Sequence, residues 1–77
     1  MRYPKPETLN ARLVLNERIT QKVRLAALAA ISRPSLRLLY QLLNDPTTPS
    51  RLLALAAVKY GQEMLRRELR NRARQRT

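Results

Sequence analysis

Seventy-seven residues make one small domain at most, and a chain of this size buries only about 60% of the surface its unfolded form exposes. The absence of Cys and His excludes disulfides, zinc and iron–sulfur ligation, and Ser-His-Asp or Cys-His catalysis. Sixteen Lys and Arg stand against five acids, a net charge of +11, and so high a charge selects a polyanionic partner more than it selects a fold.

The acids Glu7, Glu17, Asp45, Glu63 and Glu68 are scattered, so no carboxylate cage for Ca²⁺ is expected. With no paired acids and no Gly-rich loop, the chain is expected not to be an enzyme and to need no cofactor or metal. Thirteen of its bases are Arg, the residue suited to bidentate contact with phosphate and guanine. Nucleic acid is the first partner expected, ahead of an acidic protein or a membrane surface. The opening Met1–Pro6 is polar and carries two prolines, unlike a signal peptide. The longest apolar runs, Leu25–Ile31 and Leu52–Val58, have seven residues each, against roughly 20 for a membrane span. A soluble protein of the bacterial cytoplasm or nucleoid is therefore expected.

In chain order, residues 1–6 read as an extended arm, with Pro4 and Pro6 opposing a helix. Glu7 to about Arg18 reads as a first helix with Leu9, Leu13 and Val14 on one side. Thr20 is the expected N-cap of a second helix reaching Ala30; nothing in the sequence says whether the first two helices are continuous. In Ser32-Arg33-Pro34, Ser is expected to cap a third helix that tolerates Pro in its first turn and runs to about Leu43. Asn44–Pro49 is a loop, and Thr48 or Pro49 restarts the chain. The fourth helix runs from there to at least Tyr60, where Gly61 either ends it or weakens it by about 1 kcal/mol. Gln62 to about Arg74 is again helix-forming, with Leu65, Leu69 and Ala73 as a narrow apolar stripe. No alternating strand pattern occurs, so the fold class expected is all-α, three to four helices. A faint internal echo also occurs at an offset of 28 residues: Leu15-Asn16-Glu17 answers Leu43-Asn44-Asp45, and Leu25-Ala26 answers Leu53-Ala54. Two stacked helix pairs would produce it.

The stretch Leu25–Leu39 resembles the helix-turn-helix of bacterial and phage DNA-binding regulators over about 20 residues. Ile31-Ser32-Arg33-Pro34-Ser35-Leu36 is its strongest piece. The resemblance places Leu25, Ala29, Ile31, Leu36 and Leu39 in the core, Ala26 at a close helix approach, and Ser32 as the cap. The family usually has Gly where this chain has Ala30. Either Ala30 takes a left-handed conformation at about 1–2 kcal/mol, or the turn is built differently. Leu38 stands where the family presents polar residues to the groove; it either meets a thymine methyl or is buried. What the resemblance implies is a motif over 21–43 whose third helix reads DNA. Arg33, Ser35, Arg37 and Gln41 would face groove or phosphate, and Tyr40 would pack or touch a phosphate.

Two further features bear on partners. Six arginines fall in the last 12 residues, among them Arg66, Arg67, Arg70 and Arg74, the electrostatic footprint of phosphate binding to DNA or, less readily here, RNA. Tyr3, Tyr40 and Tyr60 are far apart in sequence and Phe and Trp are absent, which argues against a base-stacking platform. The run Leu52–Val58 is apolar all round a helix, so Leu52, Leu55, Ala56 and Val58 are expected at a homodimer interface or against a larger partner such as RNA polymerase. The expected organisation is therefore an arm (1–6), a helical domain (7–61) and a basic C-terminal helix or tail (62–77). The expected function is that of a small phage- or plasmid-type regulator of transcription, or of packaging, that acts by occupying DNA. The rival from another class is a helical adaptor or structural protein gripping RNA, RNA polymerase or another large assembly.

Overall fold

The computed structural model describes residues 6–75, with side chains from Thr8 onward. Among the described residues there are four helices and no strand: α1 Pro6–Leu15, α2 Gln21–Ala30, α3 Leu36–Asn44 and α4 Ser50–Gln75. Pro6 opens α1 rather than opposing it, because the first helical position has no N–H bond to lose. The remainder of the arm lies outside the described residues, as does Arg76.

Local chemistry sets each boundary. α1 stops at Leu15, three residues earlier than its apolar pattern suggests, because Asn16 turns the chain: its Oδ1 accepts from the Arg18 N–H at 3.0 Å. The first two helices are thus separate. Thr20 caps α2, its hydroxyl accepting from the Val23 N–H at 3.4 Å. The cap of α3 is Ser35, not Ser32; its Oγ accepts from the Leu38 N–H at 3.2 Å. The reason is Pro34, which drives Arg33 out of the helical region and delays the helix until after the ring. Pro34 itself is buried. The turn between α2 and α3 needs no left-handed residue: none of the described residues has positive φ, and Ile31 closes α2 in an extended conformation, its N–H bonded to the Leu28 carbonyl. At α4 the Pro49 carbonyl accepts the first helical bond, from Leu53, while Thr48 turns its hydroxyl back onto the Leu42 carbonyl at 2.8 Å.

The helices form two hairpins, α1–α2 and α3–α4, joined by packing of α2 on α4. The two hairpin loops share a design. Asp45 accepts from the Thr47 N–H as Asn16 accepts from Arg18, and the Thr48 N–H bonds the Asp45 carbonyl as Ile19 bonds that of Asn16. The structural offset is 29 residues, one more than the sequence echo. Later helices also tie down the ends of earlier ones. Arg24 of α2 donates from Nε to the Val14 carbonyl in the last turn of α1 at 2.7 Å. Lys59 of α4 donates to the Ile31 carbonyl at the end of α2 at 2.8 Å. Both place a cation at the negative end of a helix.

The core is Val14, Ala27, Leu28, Ile31, Leu38, Leu39, Leu42, Leu52 and Ala56. Each leucine fully withdrawn from water contributes about 1.5–3 kcal/mol. Several faces differ from the sequence reading. α1 turns Val14 inward and leaves Leu9 and Leu13 exposed. α2 buries Arg24, Ala27 and Leu28, while Ala26 and Ala29 are exposed and Leu25 is half-buried. Leu38 is 5% exposed and belongs to the core. Leu52 and Ala56 are covered by the chain's own helices, so their burial requires no second copy; Leu55 is half-buried and Val58 is 57% exposed.

α4 is the element that shapes the molecule. It passes straight through Gly61 and runs 26 residues, about 39 Å at 1.5 Å per residue. The helical domain and the basic tail are therefore joined by one unbroken helix. Its second half overhangs the body, and the radius of gyration is 14.2 Å against roughly 11.5 Å for a compact chain of this length. No helix among the described residues is long and apolar enough to cross a membrane.

Candidate nucleic-acid interface

One face of α4 changes character along its length. Leu52, Ala56 and Glu63 are its buried positions, at the spacing of one helix face. The same face continues as Arg67, Arg70 and Arg74, with Arg66 beside it. Up to Glu63 this face packs on the body through Leu52 and Ala56, with Lys59 bonded to the Ile31 carbonyl. Past Glu63 every described residue of α4 is exposed and the face is arginine.

Glu63 marks the transition. It is only 6% exposed, and two guanidiniums close on it. Arg66, one turn along α4, reaches its Oε1 at 2.7 Å. Arg33, from the α2–α3 loop, approaches both oxygens, at 3.4 and 3.5 Å. The hydrogen bond from Arg33, helped by the charges of Arg33 and Arg66 and opposed by burial, holds the Glu63 carboxyl below its ordinary pKa. A buried acid is tolerable only when paired in this way. Its effect is to gather Arg33 and Arg66 at the inner corner between body and overhang, where both keep about half their side-chain surface in water.

The remaining expected site residues fall into separate groups. Ser35 spends its hydroxyl on the α3 cap. Arg37 and Gln41 lie on the outward face of α3 with Tyr40 and Asn44, opposite buried Leu38, Leu39 and Leu42. Tyr40 and Tyr60 are neighbours, not isolated: their hydroxyls are 3.0 Å apart and their rings meet edge-on at 5.4 Å, which fastens α3 to α4. The hydrogen bond with Tyr40 raises the Tyr60 pKa. α3 is thus held by α4, whereas α2 packs on α1 and α4. On the far side of α4 from the arginine face lie Val58, Leu65 and Leu69, each more than half exposed.

Sequence reasoning passed over Arg24 and Glu63. Arg24 reads as one more surface base, yet it is 7% exposed. Glu63 stands four residues before Arg67, the spacing of an ordinary helical ion pair, yet its partners are Arg33 and Arg66. The signal available for Glu63 was its register with Leu52 and Ala56. No group of His, Cys or acidic residues suited to a metal ion occurs among the described residues. No family model, curated protein or solved structure matches the chain.

Proposed function

We propose that the protein is a small DNA-binding protein that grips duplex phosphates in the corner between its body and the α4 overhang. The observation that carries this reading is the change of one helix face from core to arginine at Glu63, with Arg33 drawn across to it. An arginine face built on a rigid helix gives phosphate contacts a fixed spacing, and phosphate contacts set position and affinity rather than sequence preference. The exposed face of α3, with Arg37 and Gln41, then supplies base contacts as a recognition helix does. The biological role that follows is regulation of transcription or packaging by occupancy of DNA, as for the phage and bacterial regulators the α2–α3 segment resembles.

The test is a titration of duplex DNA and single-stranded RNA across a salt series. Each phosphate neutralised on duplex contributes about −0.9 to the slope of log K against log salt. Replacing Arg67 and Arg70 by Gln together should flatten the slope by about 1.8 if each holds one phosphate. An unchanged slope would make the overhang spectator charge.

A second reading rests on Val58, Leu65 and Leu69, whose exposure on the outer face of α4 suits docking to a second copy or to a larger assembly. Sedimentation across a concentration range separates the two: a homodimer through this face dissociates when Leu65 and Leu69 become Gln, and a concentration-independent monomer sinks it.

A further inference from the structure

A second polar site lies away from the arginine corner. Leu15, Arg24, Gln41, Leu42, Asn44 and Asp45 line an open cleft of about 420 Å³ between the two hairpins. Arg24 is more than nine-tenths buried, and its only hydrogen bond among the described residues is the one from Nε to Val14. No carboxylate among those residues is within ion-pair reach of it. No buried side-chain nitrogen or oxygen among the described residues lacks a partner, so its terminal nitrogens, which bond nothing inside the fold, reach the water of the cleft.

Its neighbours in the cleft are similarly uncommitted. Asp45 uses Oδ1 to accept from the N–H and hydroxyl of Thr47, at 2.9 and 2.7 Å, and leaves Oδ2 without a partner among the described residues. The side-chain amides of Gln41 and Asn44 make no hydrogen bond there either, and Leu15 and Leu42 supply apolar wall. The Arg24 charge reaches Asp45 strongly enough to help lower its pKa, after the hydrogen bonds from Thr47. A bare phosphate fits poorly, because Asp45 would repel it. The cleft instead calls for a planar group that offers acceptors to a guanidinium and, on the adjacent edge, N–H donors to a carboxylate oxygen and an amide.

Among the nucleobases, guanine meets that requirement best. Its O6 and N7 are a pair of acceptors for Arg, and its N1–H and N2–H₂ are donors on the neighbouring edge. Adenine offers one acceptor and one donor group in those places. We infer that this cleft is a guanine-binding subsite, with Arg24 donating to O6 and N7, Asp45 Oδ2 accepting from the Watson–Crick edge, and Gln41 or Asn44 completing it. The inference rests on the nucleic-acid reading for its context. It adds to that reading a contact with a base that is out of the stack, since the Watson–Crick edge of a paired guanine is taken by its partner base.

The test uses the full chain with GMP, AMP, CMP and inorganic phosphate as probes, followed by chemical-shift changes at the Gln41 and Asn44 side-chain amides. GMP should bind at least about fivefold tighter than AMP, the lower end of what one bidentate base contact discriminates. Arg24 also caps α1, so its replacement tests the fold as well as the site. Asp45→Asn keeps an oxygen to accept from Thr47 and is the cleaner variant, with Asn44→Ala as a second. Each should abolish the GMP preference while leaving the salt slope on duplex DNA unchanged. Free nucleotide and unpaired strand guanine are separated by comparing GMP with short single strands carrying one G or one A. Equal binding of GMP and AMP, or binding of phosphate as tight as GMP, overturns the inference. An unchanged salt slope in the Arg67 and Arg70 variant with GMP preference intact overturns the phosphate-gripping reading alone, and a flattened slope with equal GMP and AMP binding overturns the guanine inference alone.

Discussion

Arg33 and Glu63 lie 30 residues apart in sequence, and their 3.4 Å ion pair joins the α2–α3 loop to the middle of α4. The pair makes the same carboxylate a structural clamp and a restraint on the arginines offered to phosphate. Glu63→Gln should lower the melting temperature, because Arg33 and Arg66 lose their shared counter-charge. It should also strengthen binding to duplex DNA at low salt, because both guanidiniums are released to phosphate. Weaker binding with an intact fold would show that Glu63 orients the arginines instead of restraining them.

The same group gives a pH dependence. The folded-state pKa of Glu63 lies below its ordinary value, and so does that of Asp45. In both cases the stabilising contribution is present above the unfolded pKa and is lost as pH falls through the folded one. Stability should therefore hold above about pH 5 and decline as acid takes the solution through and below the ordinary carboxylate range near 4. Glu63→Gln should remove part of that decline, measured as urea midpoints at successive pH values. Parent and variant with identical acid limbs would exclude Glu63 as a source. Tyr60 acts at the opposite end. Its pKa is raised by the hydrogen bond it shares with Tyr40, so its contribution is present below the ordinary tyrosine pKa and is lost as pH rises through the raised value.

The cap of α3 provides a direct contrast. Ser35→Ala removes the acceptor for the Leu38 N–H and should cost about 1 kcal/mol of stability. Ser32→Ala, at an exposed residue whose side chain makes no hydrogen bond among the described residues, should change the unfolding midpoint little. Equal effects would mean that α3 starts elsewhere.

Much of this fold is legible in the sequence, but the phase of its faces is not. Caps and loops carry specific chemistry, which is why the Thr20 cap, the loop ahead of Pro49 and the all-α class follow from the residues. Leu25–Ala30 has no polar residue to mark an outer side, so its inward face, Ala27 and Leu28, is set only by what packs on it. Two serines flank Pro34, and the restriction its ring places on Arg33 selects the second as the cap, which the Ser32 reading overlooks. Arg24 and the Tyr40–Tyr60 pair are products of hairpin packing, and no local pattern announces them. Of the candidate site, the arginine tail is plain from composition. Its register with Leu52 and Ala56, which makes it a continuation of the core face, becomes meaningful only once α4 is seen to run through Gly61.

That continuity can be strengthened. Gly61 has ordinary negative φ, and a Cβ added there meets nothing within 4 Å. Gly61→Ala should therefore stabilise the protein by about 0.5–1 kcal/mol through helix propensity alone. For a domain of this size 1 kcal/mol corresponds to roughly 4–8 °C in melting temperature. DNA affinity should stay the same or rise slightly as the overhang stiffens. A fall in melting temperature would mean that α4 bends at Gly61 in solution.

Arg37 separates base reading from phosphate gripping. It stands in the first turn of α3 on the exposed side, opposite the buried Leu38, Leu39 and Leu42, and its side chain makes no ion pair among the described residues. A bidentate contact from such a position discriminates between bases by about 1–3 kcal/mol. Arg37→Ala should accordingly lower affinity for a selected site by about 5- to 150-fold, with little change on scrambled DNA. A residue that touches only phosphate would lower both together and flatten the salt slope by about 0.9. The fold should be unaffected, because an exposed arginine without a partner contributes little to stability, and coincident urea curves for parent and variant check this. The measurement is parallel titration of both proteins on a site selected from a random pool and on its scramble. If selection enriches no sequence, α3 is not a reading helix, and the arginine corner alone accounts for DNA binding.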